Sequence, residues 1–217
     1  MSQFEITKQN RVSRLPDRGH YDEATVYSII DEALICHVGL VQDGQPVVIP
    51  TIHARKDNRI LLHGATKSRL LQYAQSGQNL CITMTLVDGL VLARSVFHHS
   101  MNYRSVVLFG RGEIVPDEEK MDCLKQFTDR LLPGRWDDVR QPTAPELKAT
   151  TIVSIPIELA SAKVRVGPPK DDEDDYQLPV WAGVLPIKQQ ISSPQNDPKL
   201  ADDIVVPDYI VDYVNNH

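Results

Sequence analysis

Short apolar runs separated by turn-forming residues occupy most of residues 34–167, and this spacing constrains the fold more than any other feature. The runs at 34–41 and 46–54 flank Asp43-Gly44, a pair that readily takes the positive φ angles of a two-residue hairpin turn. The run at 80–87 alternates apolar residues with Cys and Thr, as a half-buried strand does. Seven or eight such runs, mostly joined as hairpins, predict a mainly β fold: a closed or split antiparallel β-barrel with peripheral helices.

The remaining elements and boundaries follow from the same patterns. Further strands are predicted at 59–63, 90–95, 105–115, 150–157 and 161–167, with Asp88-Gly89 as a turn and 97–104 as a polar loop. Helices are predicted at 22–33, where Asp22 can cap the first turn, at 68–76, and from Pro116 to about Leu132. We expect an N-terminal arm at 1–20, one barrel domain at 21–187 and a C-terminal tail at 188–217, with 133–146 as a loop.

Composition excludes several classes of function. The net charge of −6 argues against general nucleic-acid binding, and no apolar run approaches the ~18 residues of a membrane span. The start of the sequence lacks the continuous apolar core of a secretory signal. Because the three cysteines are an odd and widely spaced set, we expect reduced thiols and a cytoplasmic protein. An anionic ligand would therefore need a local cationic pocket.

The sequence Lys67-Ser68-Arg69 is the first candidate site. Two cations, a hydroxyl and the free N–H groups at a helix N-terminus can bind an anion. The alternative is a solvated first turn with a serine N-cap. Cations oppose the dipole at a helix N-terminus, so a bound anion would account for their placement.

The polar loop around His98 and His99 is the second candidate. Adjacent histidines on an extended segment point in opposite directions and lack HxH or HExxH spacing, so we predict no metal site. No GxSxG elbow supports a hydrolase, and no GxGxxG or GxxxxGK[ST] motif supports a dinucleotide fold or a nucleotide triphosphatase. Hydrogen bonding to a polar ring or a phosphate is the favoured use of this loop.

Pro50-Thr51 and His63 each end an apolar strand. The proline indicates an edge strand, or a bulge that exposes backbone groups to a ligand. His63 is predicted to face the side of the anion site, although a lone histidine there is also typical of a structural residue.

Together these residues resemble the pyridoxamine 5′-phosphate oxidase-related flavoproteins, in their flavin-nucleotide-binding branch. The matching segments are RGHYDEATVYSIIDEALICHVG, QPVVIPT, LLHGATKSRLL, TLVDGLVLARSVFHHSMNYRSVVLFGRGEIV and PVWAGVLP. The resemblance implies an FMN-binding split β-barrel that forms a homodimer, with one FMN in each of two clefts between subunits.

The resemblance also implies roles for particular residues. Ile49, Pro50 and Thr51 would line the isoalloxazine edge, and His63 and Gly64 would stand beside the ribityl chain. Lys67, Ser68 and Arg69 would hold the phosphate. The rest of the pocket, some of it from the second subunit, would be formed by Ser95, His99, Ser100, Asn102, Tyr103 and Ser105.

This chain departs from the true oxidases of that group. It has VVIPTIH where their strand carries an arginine and a lysine, and LASAKVRVG where they carry the residues that serve the pyridoxine substrate. Oxidation of vitamin B6 is therefore not expected. The sequence favours an FMN-dependent oxidoreductase without a catalytic side chain of its own, acting on an unidentified small molecule. The alternative is a flavin- or haem-binding protein without turnover, as in nitroimidazole-resistance proteins, with His63, His98 or His99 as the candidate haem contact.

Overall fold

The computed structural model describes residues 2–216. The strands are β1 (Gly19–His20), β2 (Ile35–Gln42), β3 (Gln45–Ile52), β4 (Ala54–Lys56), β5 (Arg59–Ala65), β6 (Asn79–Leu92), β7 (Ser100–Arg111), β8 (Glu113–Ile114), β9 (Thr150–Pro156), β10 (Leu159–Arg165) and β11 (Gly183–Pro186). The helices are α1 (Glu23–Glu32), α2 (Arg69–Gln75), α3 (Lys120–Leu131), α4 (Arg135–Asp138), α5 (Ala144–Ala149) and α6 (Asp208–Asn216).

These strands form two antiparallel sheets. The larger sheet has the order β1-β10-β7-β6-β2-β3, with β11 paired to the second half of β6, and the smaller sheet has the order β4-β5-β9-β8. The chain passes from one sheet to the other through His53, the single residue between β3 and β4. Because the two sheets do not join into one closed cylinder, the architecture is a split barrel with helices at its periphery.

The core lies between the two sheets and α1. On β6 and β7 the buried residues alternate with outward-facing ones, so that Ile82, Met84, Val106 and Leu108 are fully buried. Against them pack the inward residues of α1, including Ile29 and Ile30. The Asp22 carboxylate accepts a hydrogen bond from the Thr25 N–H at 2.8 Å, which confirms the predicted cap of this helix.

The outer face of the large sheet is only partly covered by the chain itself. Pro50, His37, Thr83 and Val107 are register partners in one row across four strands. Large apolar side chains on this side of the sheet remain exposed, namely Ile35, Val41, Val48 and Val87. Several exposed apolar side chains on one face of a sheet are typical of an interface.

Two predicted turns had different outcomes. Asp43 and Gly44 have φ angles of 50° and 74°, so the hairpin turn between β2 and β3 is confirmed. The predicted turn at Asp88-Gly89 is wrong: β6 continues through it, with a bulge between Val87 and Gly89. A Cβ on Gly89 would lie 3.0 Å from the Leu185 carbonyl oxygen, so glycine serves the close approach of β11 here.

Three other predicted segments differ from the structure. The polar loop is shorter than predicted, because residues 100–104 already belong to β7. The segment 133–146, predicted as a loop, contains α4 and the start of α5. The tail ends in α6, where the Tyr209 hydroxyl donates to the Asp138 carboxylate at 2.7 Å. None of the helices within residues 2–216 combines the length and apolar character needed to cross a bilayer.

The buried His53 at the sheet crossing makes stability depend on pH. Its Nε2 lies 2.9 Å from the Ile30 carbonyl oxygen, and burial lowers its pKa from 6.5 to about 4. Below pH 6.5 the unfolded chain binds a proton that the native state accepts only near pH 4. The free energy of unfolding should therefore fall by roughly 3 kcal/mol between pH 6.5 and 4 on account of this group. Urea unfolding at both pH values, compared with His53→Gln, measures it: equal pH dependence in the two proteins would contradict the assignment.

Candidate functional site

The Lys67-Ser68-Arg69 corner lies in the turn between β5 and α2. The Ser68 N–H donates to the Ala65 carbonyl at 2.8 Å, and Ser68 is the N-cap residue of α2. Its hydroxyl makes no capping hydrogen bond, and Lys67 and Arg69 are exposed, so a solvated first turn with Ser68 at the N-cap stays the alternative to an anion site. The first turn of α2 carries no acidic residue, and within the described chain neither Lys67 nor Arg69 makes an ion pair or a side-chain hydrogen bond. Two cations and a hydroxyl are thus left available to an anion at this corner.

The first group of predicted site residues, Ile49 to Thr51 and His63 to Arg69, lies on both sides of the sheet crossing. In the smaller sheet Ala54 pairs with Leu61 and Gly64 with Thr151, whereas in the larger sheet Thr51 pairs with Cys36. Ile49, Pro50 and Thr51 lie on β3, the edge strand of the large sheet. Pairing between β2 and β3 is regular, so the predicted bulge at Pro50 is absent and the edge-strand interpretation is confirmed.

His63 packs against α3. Its ring centroid lies 4.2 Å from that of Phe127, and its Nδ1 is buried without a hydrogen-bond partner among the described residues. Burial lowers the pKa of His63 and keeps the imidazole neutral near pH 7. A neutral imidazole with a free ring nitrogen is able to bind a metal centre or accept a hydrogen bond.

The second group, Ser95 to Ser105, lies on a different part of the same chain. Val107 on β7 is three strands from Pro50 in the row described above, a separation of about 14 Å at the usual strand spacing. Ser105 pairs with Thr85 in the next row of the ladder. One subunit therefore keeps the two groups apart, and the expectation of a pocket made of residues from two subunits stays a prediction.

The short loop between β6 and β7 is ordered by its own polar contacts. The Ser95 hydroxyl accepts from the Phe97 N–H at 3.3 Å, and His99 Nδ1 accepts from the Ala93 N–H at 3.0 Å. Since Nδ1 of His99 is an acceptor, the neutral ring carries its proton on Nε2 and presents a donor to its surroundings. Ser100, exposed at the start of β7, pairs with Val91.

Asn102 and Arg165 form a buried polar pair. The Asn102 carbonyl accepts from the Arg165 guanidinium, and its amide donates to the Gly167 carbonyl at 3.2 Å. Both ends of the Asn102 side chain are thus engaged within the chain. Tyr103, half-buried, pairs with Arg165 in the β7–β10 ladder, and the Ser105 hydroxyl donates to the Lys163 carbonyl at 3.3 Å.

The acidic run after β10 docks on the loop between β6 and β7 through Asp171. Its carboxylate accepts from the Arg94 N–H at 2.9 Å, the Ser95 N–H at 3.2 Å and the Arg94 guanidinium at 3.1 Å. Burial alone would raise the pKa of Asp171, but the Ser95 N–H and the Arg94 groups lower it overall. Tyr176 adds a ring 5.1 Å from the Arg94 guanidinium carbon. No local signal separates Asp171 from its acidic neighbours, because its partners lie 76 and 77 residues earlier in the chain.

The same docking brings His98 next to carboxylates. His98 Nε2 lies 3.3 Å from an Asp172 oxygen, and the ligand atoms of His98, Asp172 and Asp175 fall within 4.8 Å of one another. Asp172 is largely exposed, which is ordinary for an acidic segment. The expectation that the chain holds no metal stays a prediction.

Comparisons with known proteins identify the class of fold. The flavocytochrome Anf3 from Azotobacter vinelandii is 40% identical, with a TM-score of 0.90 over 95% of this chain and 96% of that one. The FAD and haem binding protein from Mycobacterium smegmatis is 32% identical, with a TM-score of 0.88 over 91% and 97%. A Bacteroides thetaiotaomicron protein described as a 5-nitroimidazole antibiotic resistance protein is 24% identical, with a TM-score of 0.56 over 67% and 86%, and shows the fold alone. The predicted split β-barrel of flavin-binding proteins is confirmed.

The sequence matches the family profile described as pyridoxamine 5′-phosphate oxidase over residues 22–164. No curated protein sequence matches the chain significantly. Since the profile covers well over half of the 217 residues, the chain belongs to the pyridoxamine 5′-phosphate oxidase family.

Proposed function

We propose that this protein is a cytoplasmic, homodimeric flavoprotein that uses FMN, or the same riboflavin 5′-phosphate unit within FAD, to oxidise or reduce a small molecule. The single observation that carries the proposal is the anion corner at Lys67-Ser68-Arg69, where two cations and a hydroxyl lack partners in the described chain. Family membership and two flavin-binding relatives above 30% identity support it. The three free cysteines favour a reducing compartment.

The residues at the corner fit a flavin phosphate in number and in charge. A phosphate monoester near pH 7 carries a charge of about −1.5 to −2, which two cations neutralise. The Ser68 hydroxyl and the exposed N–H groups of the first turn of α2 supply donors for its oxygens. The corner is the first turn of a helix whose inward residues, Leu70 and Leu71, are buried in the core, so it is held rigidly.

In this proposal the bound flavin supplies hydride or electron transfer, and the protein binds and orients it. The free edge of β3, along Ile49 to Thr51, would lie beside the polar rim of the ring system. His99 offers a donor at Nε2 from the second group of residues. No side chain is assigned as an acid or base, because flavin chemistry does not require one from the protein.

A two-fold dimer is proposed from the outer face of the large sheet. Ile35 is 47% exposed, Val41 54% and Val48 64%, which is costly for a surface left in water. These residues lie on one side of β2 and β3, beside the edge that carries Ile49 to Thr51. A second copy on this face would cover them and bring its own Ser95 to Ser105 segment towards the flavin.

The second candidate is a protein that binds haem in addition to flavin. Two relatives, 40% and 32% identical, are described as a flavocytochrome and as an FAD and haem binding protein. Among His63, His98 and His99, His63 fits an axial ligand best, because burial favours its neutral form and its Nε2 makes no hydrogen bond within the described chain. His99 presents a protonated Nε2, and His98 Nε2 faces Asp172.

The absorption spectrum of the purified protein tests both candidates. The proposal predicts flavin bands that bleach on addition of a nicotinamide donor, and haem binding adds a Soret band. We expect His63→Ala to abolish the Soret band while the flavin bands remain. Protein reconstituted with FMN or FAD that shows no flavin absorption after desalting contradicts the proposed function. A Soret band that is unchanged in His63→Ala contradicts the ligand assignment.

A further inference from the structure

The N-terminal arm and the large sheet form a cationic pocket that is separate from the Lys67-Ser68-Arg69 corner. Residues 9–14 lie over β7 and β10 and leave a cavity of about 230 Å³. Arg11, Arg14 and Lys163 line it, together with the hydroxyls of Ser105 and Ser161. No carboxylate of residues 2–216 is part of its wall.

The pocket has fixed walls. Asn10, 2% exposed, donates from its side-chain amide to the Ala160 carbonyl at 3.0 Å, and its carbonyl accepts from the Thr7 N–H at 2.7 Å. The Val12 N–H donates to the Tyr21 hydroxyl at 2.8 Å, and Phe4 is buried in the core. The arm is therefore packed onto the barrel, which places the exposed Arg11 and Arg14 at the edge of the pocket.

The cations of the pocket are uncompensated. Within the described chain Arg11, Arg14 and Lys163 form no ion pair, although the protein carries a net charge of −6 and many of its other cations are paired. Like charges gathered without a counter-charge repel one another, so a bound anion would stabilise this arrangement.

The lining also indicates what kind of anion. Beside the cations and hydroxyls, Val12, Val107 and Phe109 form an apolar wall suited to a ribose or a base. Guanidinium groups and hydroxyls match phosphate oxygens in geometry and in charge. Ser105, assigned above to the flavin pocket, is shared by both sites, so the two would adjoin in the dimer.

We infer that this pocket binds the phosphate groups of a nucleoside diphosphate unit, with the base against Phe109. Such a unit is present both in a flavin dinucleotide and in a nicotinamide dinucleotide donor. The inference depends on the proposed function only for naming these two sources, because the pocket is built from residues outside the Lys67-Ser68-Arg69 corner.

Calorimetric titration with adenosine diphosphate tests the pocket directly. We expect saturable binding to the native chain and a roughly 30-fold or greater loss in the variant Arg11→Gln/Arg14→Gln/Lys163→Gln. The control Lys8→Gln/Lys148→Gln/Lys170→Gln removes the same charge from outside the pocket and should bind as the native chain does. The inference is overturned if adenosine diphosphate does not bind the native chain, or if the triple variant binds it as tightly as the native chain does. It is also overturned if inorganic phosphate binds as tightly as the nucleotide.

Two further measurements on the same variant distinguish the source of the nucleotide. If the nucleoside diphosphate unit belongs to FAD, the variant should bind FAD only as tightly as it binds FMN, and its affinity for FMN should equal that of the native chain. If it belongs to the donor, the KM for the nicotinamide dinucleotide rises and FAD affinity is unchanged. FMN binding also separates the two proposals. If the native chain binds adenosine diphosphate but not FMN, the proposed flavin function is wrong, whereas the inference about the pocket is still supported.

Discussion

The double substitution Lys67→Ala/Arg69→Ala should lower FMN affinity about a hundredfold or more. Each side chain contributes a charge-assisted contact to the phosphate, worth roughly 1.5–3 kcal/mol, and 1.4 kcal/mol is a factor of ten in Kd. Neither cation has a partner in the part of the chain that the structure describes, so its removal breaks no internal ion pair. The variant should therefore fold as the native protein does. Quenching of flavin fluorescence on titration into the apoprotein gives both dissociation constants.

Two controls make this result specific for the phosphate. Riboflavin lacks the phosphate, so its weaker binding should be the same in the native and substituted chains. The variant Lys125→Ala/Arg140→Ala removes two exposed cations elsewhere, each paired to its own carboxylate, and should bind FMN normally. Retained FMN affinity, or an equal loss for riboflavin, shows that these residues do not hold the phosphate.

The substitution Val48→Glu/Thr83→Glu should convert the protein to a monomer and weaken flavin binding roughly a hundredfold, because a charge buried in an apolar interface without a partner costs several kcal/mol. Both residues lie on the outer face of the large sheet, where Val48 is 64% exposed in the single chain. In a two-fold interface each added carboxylate occurs twice, once from each subunit, so its cost is doubled. Light scattering measures the mass of the assembly, and circular dichroism verifies the fold.

The matched control Ala144→Glu/Ala201→Glu adds two carboxylates at exposed positions away from that face. It should remain a dimer with native flavin affinity. If the native chain is a flavin-loaded monomer, or if Val48→Glu/Thr83→Glu stays dimeric, the proposed interface is wrong.

Local sequence chemistry predicted the strands and α1 well, and it failed where distant segments decide the outcome. Asp43-Gly44 and Asp88-Gly89 are the same dipeptide, but the first forms a hairpin turn and the second a bulge inside β6. The difference comes from β11, which pairs along β6 at Gly89 from about a hundred residues later in the chain. No pattern around residue 88 contains that information.

The candidate site shows the same division. Lys67, Ser68 and Arg69 are consecutive in the sequence, so their spacing alone predicted the anion site. The ring contact of His63 joins it to Phe127, and the burial of Asp171 depends on Arg94 and on the Ser95 N–H. The cationic pocket likewise joins Arg11 and Arg14 to Lys163, about 150 residues apart. Such sites become visible only when the register of the sheets is known.

A crystal structure of the flavin-loaded protein tests the central claim most directly. The account predicts a phosphate within hydrogen-bonding distance of the Ser68 hydroxyl and of the Lys67 and Arg69 side chains, with the flavin ring along β3 and the second subunit's Ser95 to Ser105 segment across the cleft. A flavin bound elsewhere in the dimer, with solvent alone at that corner, would contradict it.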